Sequence, residues 1–216
     1  MRVQPRVVVL ISGRGSNLEA LLLARLPLEV VAVISSRMDA AGLDLARCRG
    51  IPALALTREE FPEREAYDQR LRYLIDGYQP DMVVLAGFMR ILTPALVRHY
   101  EGRLLNIHPS LLPAFPGLHT HRRALEAGVA VHGCTVHFVT EILDDGPIVA
   151  QAVVPVLPDD DEMHLAQRVL VMEHRLYPAV LRAWAEGHLT WLDGRPQWSR
   201  ESGVPAMRWL GLEGHP

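Results

Sequence analysis

Residues 7–22 read VVVLISGRGSNLEALL: an unbroken apolar run of strand length, a turn holding two glycines, and the start of a leucine-spaced helix. Leu18, Leu21, Leu22 and Leu26 recur at helical spacing. Outward from this unit the pattern repeats. Strand-length apolar runs follow at 28–34, 53–56, 82–86 and 104–107. Helical periodicity separates them, in Ala41, Leu45 and Ala46 and again in Tyr67, Leu71, Leu74 and Ile75. Strands that alternate with helices imply right-handed crossovers and a mostly parallel sheet covered on both faces. The fold class is therefore α/β: a Rossmann-like, mostly parallel twisted sheet with helices on both faces.

The pattern changes after Gly128. Residues 129–140 and 147–156 are both β-rich and flank the acidic turn EILDDG, so a late antiparallel pair is expected. Residues 160–187 read as one long amphipathic helix, with Asp159 or Asp160 as N-cap and Gly187 as the stop. Pro178 within it predicts a kink or a break. Residues 1–187 are expected to form a single domain, and 188–216 an extension packed on it: a short strand pair and an irregular end.

Composition narrows the chemistry. The chain has 216 residues, is 49% hydrophobic and 22% charged, and carries a net charge of −3. That charge speaks against nucleic acid as a partner. No apolar run approaches the roughly 20 residues that span a bilayer, so no membrane association is expected. The start, MRVQPRVVVLISG, runs from two arginines into the first strand without a small-residue cleavage site, so a secretory signal is not expected. Cys48 and Cys134 give no disulfide framework, which points to the reducing cytoplasm. All 22 basic residues are arginine. The absence of lysine excludes a P-loop and Schiff-base chemistry.

Gly13, Gly15, Ser16 and Asn17 lie where a strand hands over to a helix N-terminus, a place suited to an anion. The dinucleotide pattern G-x-G-x-x-G fails, because its third glycine falls at Leu18. The acid expected about 20 residues on falls near Ser35 and Ser36. A single phosphate fits better than a pyrophosphate.

LLNIHPSLLPAFPGLHTH, residues 104–121, ends the fifth strand in Asn106 and His108. If the strand extends to His108, both side chains leave one face. An amide and an imidazole side by side can hydrogen-bond an oxyanion that develops in acyl transfer. No G-x-S-x-G elbow accompanies them and neither cysteine has a catalytic signature, so one substrate is expected to attack the other directly. A carboxylate from Asp144 or Asp145 would hold the imidazole charged. His119, His121, His132, Cys134 and His137 could suggest zinc. However, His132 and His137 would point to opposite faces of one strand, so no metal is expected. His119 and His121 read as supporting or structural residues.

The stretches ISGRGSNLEAL, PDMVVLAGFMRILTPALV, GRLLNIHPSLLPAFPGLHTHRRALEAG, HGCTVHFVTEILDDGPIVAQ and RVLVMEHRLYP together resemble the phosphoribosylglycinamide formyltransferase family, folate-dependent enzymes of purine synthesis. The resemblance covers about residues 6–187. It implies transfer of the formyl group of the co-substrate 10-formyltetrahydrofolate to the amine of glycinamide ribonucleotide, by a monomer or homodimer acting on small molecules without a metal. It further implies that Gly15, Ser16 and Asn17 hold the ribose phosphate and that Glu173 orients the amine. Arg64, Met89, Arg90, Ile91 and Leu92 would frame the folate, with Asn106, Val139, Thr140 and Asp144 at its pteridine end. Asn106 and His108 would polarise the formyl oxygen, and Asp144, the first acid of its pair, would keep His108 charged. Arg14 departs from the small or neutral polar residue expected at its position. Formyltetrahydrofolate deformylases, in which water is the nucleophile, share the same residues and are the competing reading. Methionyl-tRNA formyltransferases also share them, but this chain lacks their basic face.

Overall fold

Strand β1 (Arg6–Ile11) pairs in parallel with β2 (Glu29–Ser35) on one side and β4 (Met82–Leu85) on the other. Beyond β2 lies β3 (Ala53–Ala55), and beyond β4 lies β5 (Leu104–His108), both parallel to their neighbours. Then β6 (Val131–Phe138) runs antiparallel to β5, and β7 (Ile148–Pro155) antiparallel to β6. A hairpin, β8 (Leu189–Leu192) with β9 (Arg195–Trp198), stands apart from the sheet, and β10 (Trp209–Leu210) adds a parallel edge to β7. This computed structural model describes residues 4–61 and 63–199, and 209–210 as backbone. Residues 200–208 and 211–216 of the expected extension lie outside the described residues.

Side-chain alternation explains why β1 is apolar throughout. Val7, Val9 and Ile11 enter one core with α1 (Ser16–Leu23), α2 (Ala41–Arg47) and α6 (Glu162–Ala185). Val8 and Leu10 enter a second core with α3 (Arg64–Gly77) and α4 (Pro94–His99). A strand buried on both faces has no polar side to show. The same alternation sends Leu105 and Ile107 of β5 to the first core, and Leu104 to the second. Asn106 and His108 therefore leave β5 on the face of Leu104. Strand order reverses on either side of β1, so the carboxyl ends of β1 and β4 flank the crevice where open α/β sheets place ligands.

Several expectations change in detail. The helix N-cap is Asp161, which accepts the His164 N–H at 2.8 Å. Asp160 is committed elsewhere, to the Arg168 guanidinium at 2.6 Å and the Leu157 N–H. Pro178 does not break α6. It withholds one N–H from the ladder, yet Leu176, Tyr177, Val180 and Leu181 are all buried around it and their packing carries the helix through. Gly187 follows the helix end at φ 80°, as expected of a stop. Leu26 lies beyond α1 and packs on the first core from the loop before β2. Two short helices, α4 and α5 (Thr120–Glu126), add to the elements that periodicity marks. The β8–β9 hairpin is anchored, because Leu189 is buried and Trp191 packs on Phe138 with ring centroids 4.6 Å apart.

Candidate active site

The turn after β1 ends at Gly15, which sits at φ 79° as the N-cap of α1. A Cβ there would lie 2.8 Å from the Gly42 Cα, so both conformation and space demand glycine. No side chain caps α1. Its first N–H groups and positive dipole end are thus offered to an anion. Two residues in, the buried Asn17 donates its Nδ2–H to Glu173 Oε2 of α6 at 2.6 Å, while its own Oδ1 is buried without a partner. Burial pushes the Glu173 carboxyl up to about 7, and the Asn17 bond opposes that shift without cancelling it.

At the end of β5, His108 is buried and both ring nitrogens face oxygens. Nε2 lies 3.1 Å from the Phe115 carbonyl, and Nδ1 lies 3.5 Å from Asp144 Oδ2. A singly protonated imidazole has one N–H and can serve only one of these acceptors, whereas the imidazolium can serve both. Asp144 is brought there by its own turn. It adopts φ 53°, and its Oδ2 also accepts the Gly117 N–H at 2.8 Å. Gly146 closes the turn against β6, where a Cβ would lie 1.7 Å from the Phe138 carbonyl oxygen. The segment between His108 and Gly117 is stitched down. The Ser110 hydroxyl donates to the Ala114 carbonyl at 2.7 Å, and Thr135 Oγ1 donates to the Ser110 carbonyl at 2.6 Å.

Asn106 and His108 open onto a cleft of about 490 Å³. Met89, Arg90, Ile91 and Leu92 form one wall, Gly117–His121 another, and Val139–Asp144 a third. Met89, Ile91, Leu118, Ile142 and Leu143 are exposed, and this apolar rim suits a flat, largely apolar ligand. The wall at 88–92 is held from behind. Arg64 donates from Nε to the Ile91 carbonyl at 3.0 Å and from its terminal nitrogen to Leu92 at 2.6 Å. Arg90 lies over the Tyr67 ring at 3.8 Å. The Met89 N–H reaches back to Ser12 Oγ at 2.8 Å, tying the ends of β4 and β1 together.

The sequence and its fold now meet known proteins. The formyl transferase family model matches residues 5–181. The chain belongs to the formyl transferase family. It is 54% identical over 199 residues to a phosphoribosylglycinamide formyltransferase of Escherichia coli, a match covering 88% of this chain and 94% of that one. The solved structure of the phosphoribosylglycinamide formyltransferase of Coxiella burnetii superimposes with a TM-score of 0.87 at 46% identity, covering 90% of this chain and 93% of that chain. A formyltetrahydrofolate deformylase from Pseudomonas syringae is also similar, at 31% identity and TM-score 0.84, but this chain covers 66% of it.

Within this formyl transferase the residues singled out from sequence fall into two groups. Asn106, His108, Met89, Arg90, Ile91, Leu92, Val139, Thr140 and Asp144 all line the cleft. Arg64 does not line it but braces its wall. Gly15, Ser16, Asn17 and Glu173 gather separately, between α1 and α6. His119 and His121 also line the cleft, and His119 is the N-cap of α5 at φ 57°. Burial pushes the thiol of Cys134 well up, and the Glu173 charge adds to this, so it supplies no thiolate nucleophile. Among the described residues no group of three or more His, Cys, Asp or Glu could hold a metal ion, and no helix is long and apolar enough to cross a membrane. Two features escaped the sequence: the Phe115 carbonyl on His108, and His137, whose Nε2 lies 3.1 Å from Asn106 Nδ2. The first depends on backbone shape and the second on the strand register, so neither leaves a mark in residue order.

The burial of Glu173 predicts a pH-dependent stability. Its carboxyl titrates near the ordinary 4.5 when unfolded and near 7 when folded. Below the first value both states are protonated and nothing is lost. Between the two the unfolded chain releases its proton first, so stability falls as pH rises and stays lowered above 7. Glu173→Gln keeps an acceptor for Asn17 and removes the penalty. It is expected to stabilise the protein by roughly 3 kcal/mol at pH 8 and by little near pH 4.5, as read by denaturant unfolding at both pH values.

Proposed function

We propose that this formyl transferase moves the formyl group of 10-formyltetrahydrofolate to the amine of glycinamide ribonucleotide, in a reducing cytoplasm. The folate occupies the apolar-rimmed cleft, with its formyl carbon beside Asn106 and His108. The ribonucleotide phosphate caps α1 at Gly15, Ser16 and Asn17, and Glu173 receives the amine. The nitrogen lone pair attacks the formyl carbon and the carbonyl electrons move onto oxygen. Asn106 Nδ2–H and the His108 imidazolium stabilise that oxyanion. Collapse breaks the bond to the folate nitrogen, which takes up the proton that the amine gives away. The formyl oxygen competes with the Phe115 carbonyl for His108 Nε2–H, so the 109–118 segment governs how much of this donor reaches substrate.

The observation that carries the reading is His108, buried between Asp144 and the Phe115 carbonyl beside Asn106, in a cleft whose described lining includes no serine, cysteine or lysine. The likeness to a deformylase supports a second reading with water as the attacking group, but that reaction has no use for the Asn17–Glu173 pair at the phosphate turn. Purified protein mixed with 10-formyltetrahydrofolate, with and without glycinamide ribonucleotide, separates the two. Release of tetrahydrofolate, followed by absorbance, is expected only when the ribonucleotide is present; equal release without it establishes the hydrolase.

A further inference from the structure

The buried side chain that the transfer step leaves unassigned is His137. It stands directly opposite Asn106 in the β5–β6 register, on the same sheet face, and is 2% exposed. Its Nδ1 lies 3.0 Å from the Phe138 carbonyl, which has no proton to give, so Nδ1 must carry the N–H. A neutral ring with its proton on Nδ1 leaves Nε2 as a bare acceptor. Burial holds the ring on the neutral side, lowering its pKa, with the Phe138 bond and Asp144 opposing and His108 adding to the shift. Asn106 approaches this acceptor at 3.1 Å, and only its Nδ2 end can donate to it. The amide is thereby prevented from turning its oxygen toward His137, and its second N–H is left for the cleft.

We propose that His137 is a positioning residue for formyl transfer: by accepting one N–H of Asn106, it aims the amide so that the other N–H meets the developing oxyanion. An unrestrained asparagine amide can present oxygen or nitrogen to the same point. Oxygen there would repel the oxyanion. The device works through orientation, so it acts on the transition state and not on substrate affinity. The proposal rests on the transfer reading above.

The test uses the whole protein and a cycle of substitutions. His137→Asn keeps a polar group near the Nδ1 position but is too short to reach Asn106. His137→Gln can place an acceptor where Nε2 lies. In the wild-type background, His137→Asn is expected to lower kcat by about 10- to 100-fold, the loss of one aligned donor, with both KM values within about twofold. His137→Gln is expected to recover most of that loss. With Asn106→Ala already present, His137→Asn should cost less than about twofold more, because its effect runs through Asn106. Equal losses for the two variants, or a cycle in which the effects multiply, would overturn the proposal. Nitrogen-15 spectra of the histidines in the ligand-free protein give a reading that needs no turnover. His137 is expected with its proton on Nδ1, and a proton on Nε2 overturns the proposal. A wild-type protein with that tautomer but no ribonucleotide-dependent transfer would refute the functional reading alone.

Discussion

His108→Ala is expected to lower turnover by about 10²–10³-fold while leaving the fold and both KM values nearly unchanged. The imidazole is buried at a strand end, and its ring bonds are to one carbonyl and one carboxylate. Its removal opens a small gap beside the cleft but uncaps no helix. On the proposed mechanism, what disappears is the donor to the formyl oxygen. Asp144→Asn should be the milder partner. An asparagine can still accept the Gly117 N–H, so the turn stays closed, but the charge opposite Nδ1 is gone. The two losses are expected to be far from additive, because in the proposed mechanism Asp144 acts through His108. Steady-state kinetics of both variants and the double variant check this, with circular dichroism for the fold. Near-normal turnover of His108→Ala would remove it from the mechanism.

Gly146→Ala is expected to cut turnover by about 10²-fold without touching any group that meets substrate. The methyl would occupy space 1.7 Å from the Phe138 carbonyl oxygen and 2.9 Å from its carbon. Backbone cannot yield as a flexible side chain does, so the turn itself must move. Asp144 lies two residues away at φ 53° and would be carried off His108. Forced overpacking of this kind costs about 3 kcal/mol, so a lower melting temperature should accompany the loss. Thermal unfolding alongside kinetics distinguishes this from simple unfolding: activity measured well below the new melting point should remain depressed. A variant with lowered stability but full turnover would show that Asp144 reaches His108 by some other support.

Much of this was legible in residue order, and the reasons are local. Val7 to Ile11 is apolar at every position because helices cover both faces of β1, and that is visible without coordinates. Asn106 and His108 share a parity, so one face for both follows once the strand reaches His108. The late antiparallel pair announced itself through β-rich runs around an acidic turn. Short helices were harder. Thr93 and Pro94 are an N-cap and a first helical residue, a signal that was present for α4 but is followed by only one and a half turns. α5 has no capping side chain at all. The helix cap moved from Asp159 or Asp160 to Asp161 because Arg168 claims Asp160, a tertiary fact. The approach of Asp144 to His108 depends on Gly146 closing against β6 and on the Gly117 N–H, and cross-strand neighbours such as His137 depend on register. Sequence names the residue types for such contacts and leaves their distances open.

The fate of the formyl group tests the central claim most directly. Folate carrying an isotopically labelled formyl group is given to the protein together with excess glycinamide ribonucleotide, and the products are separated. The account predicts that the label is recovered on the ribonucleotide amine, one equivalent for each tetrahydrofolate released. Label recovered as free formate, with the ribonucleotide unchanged, would contradict it.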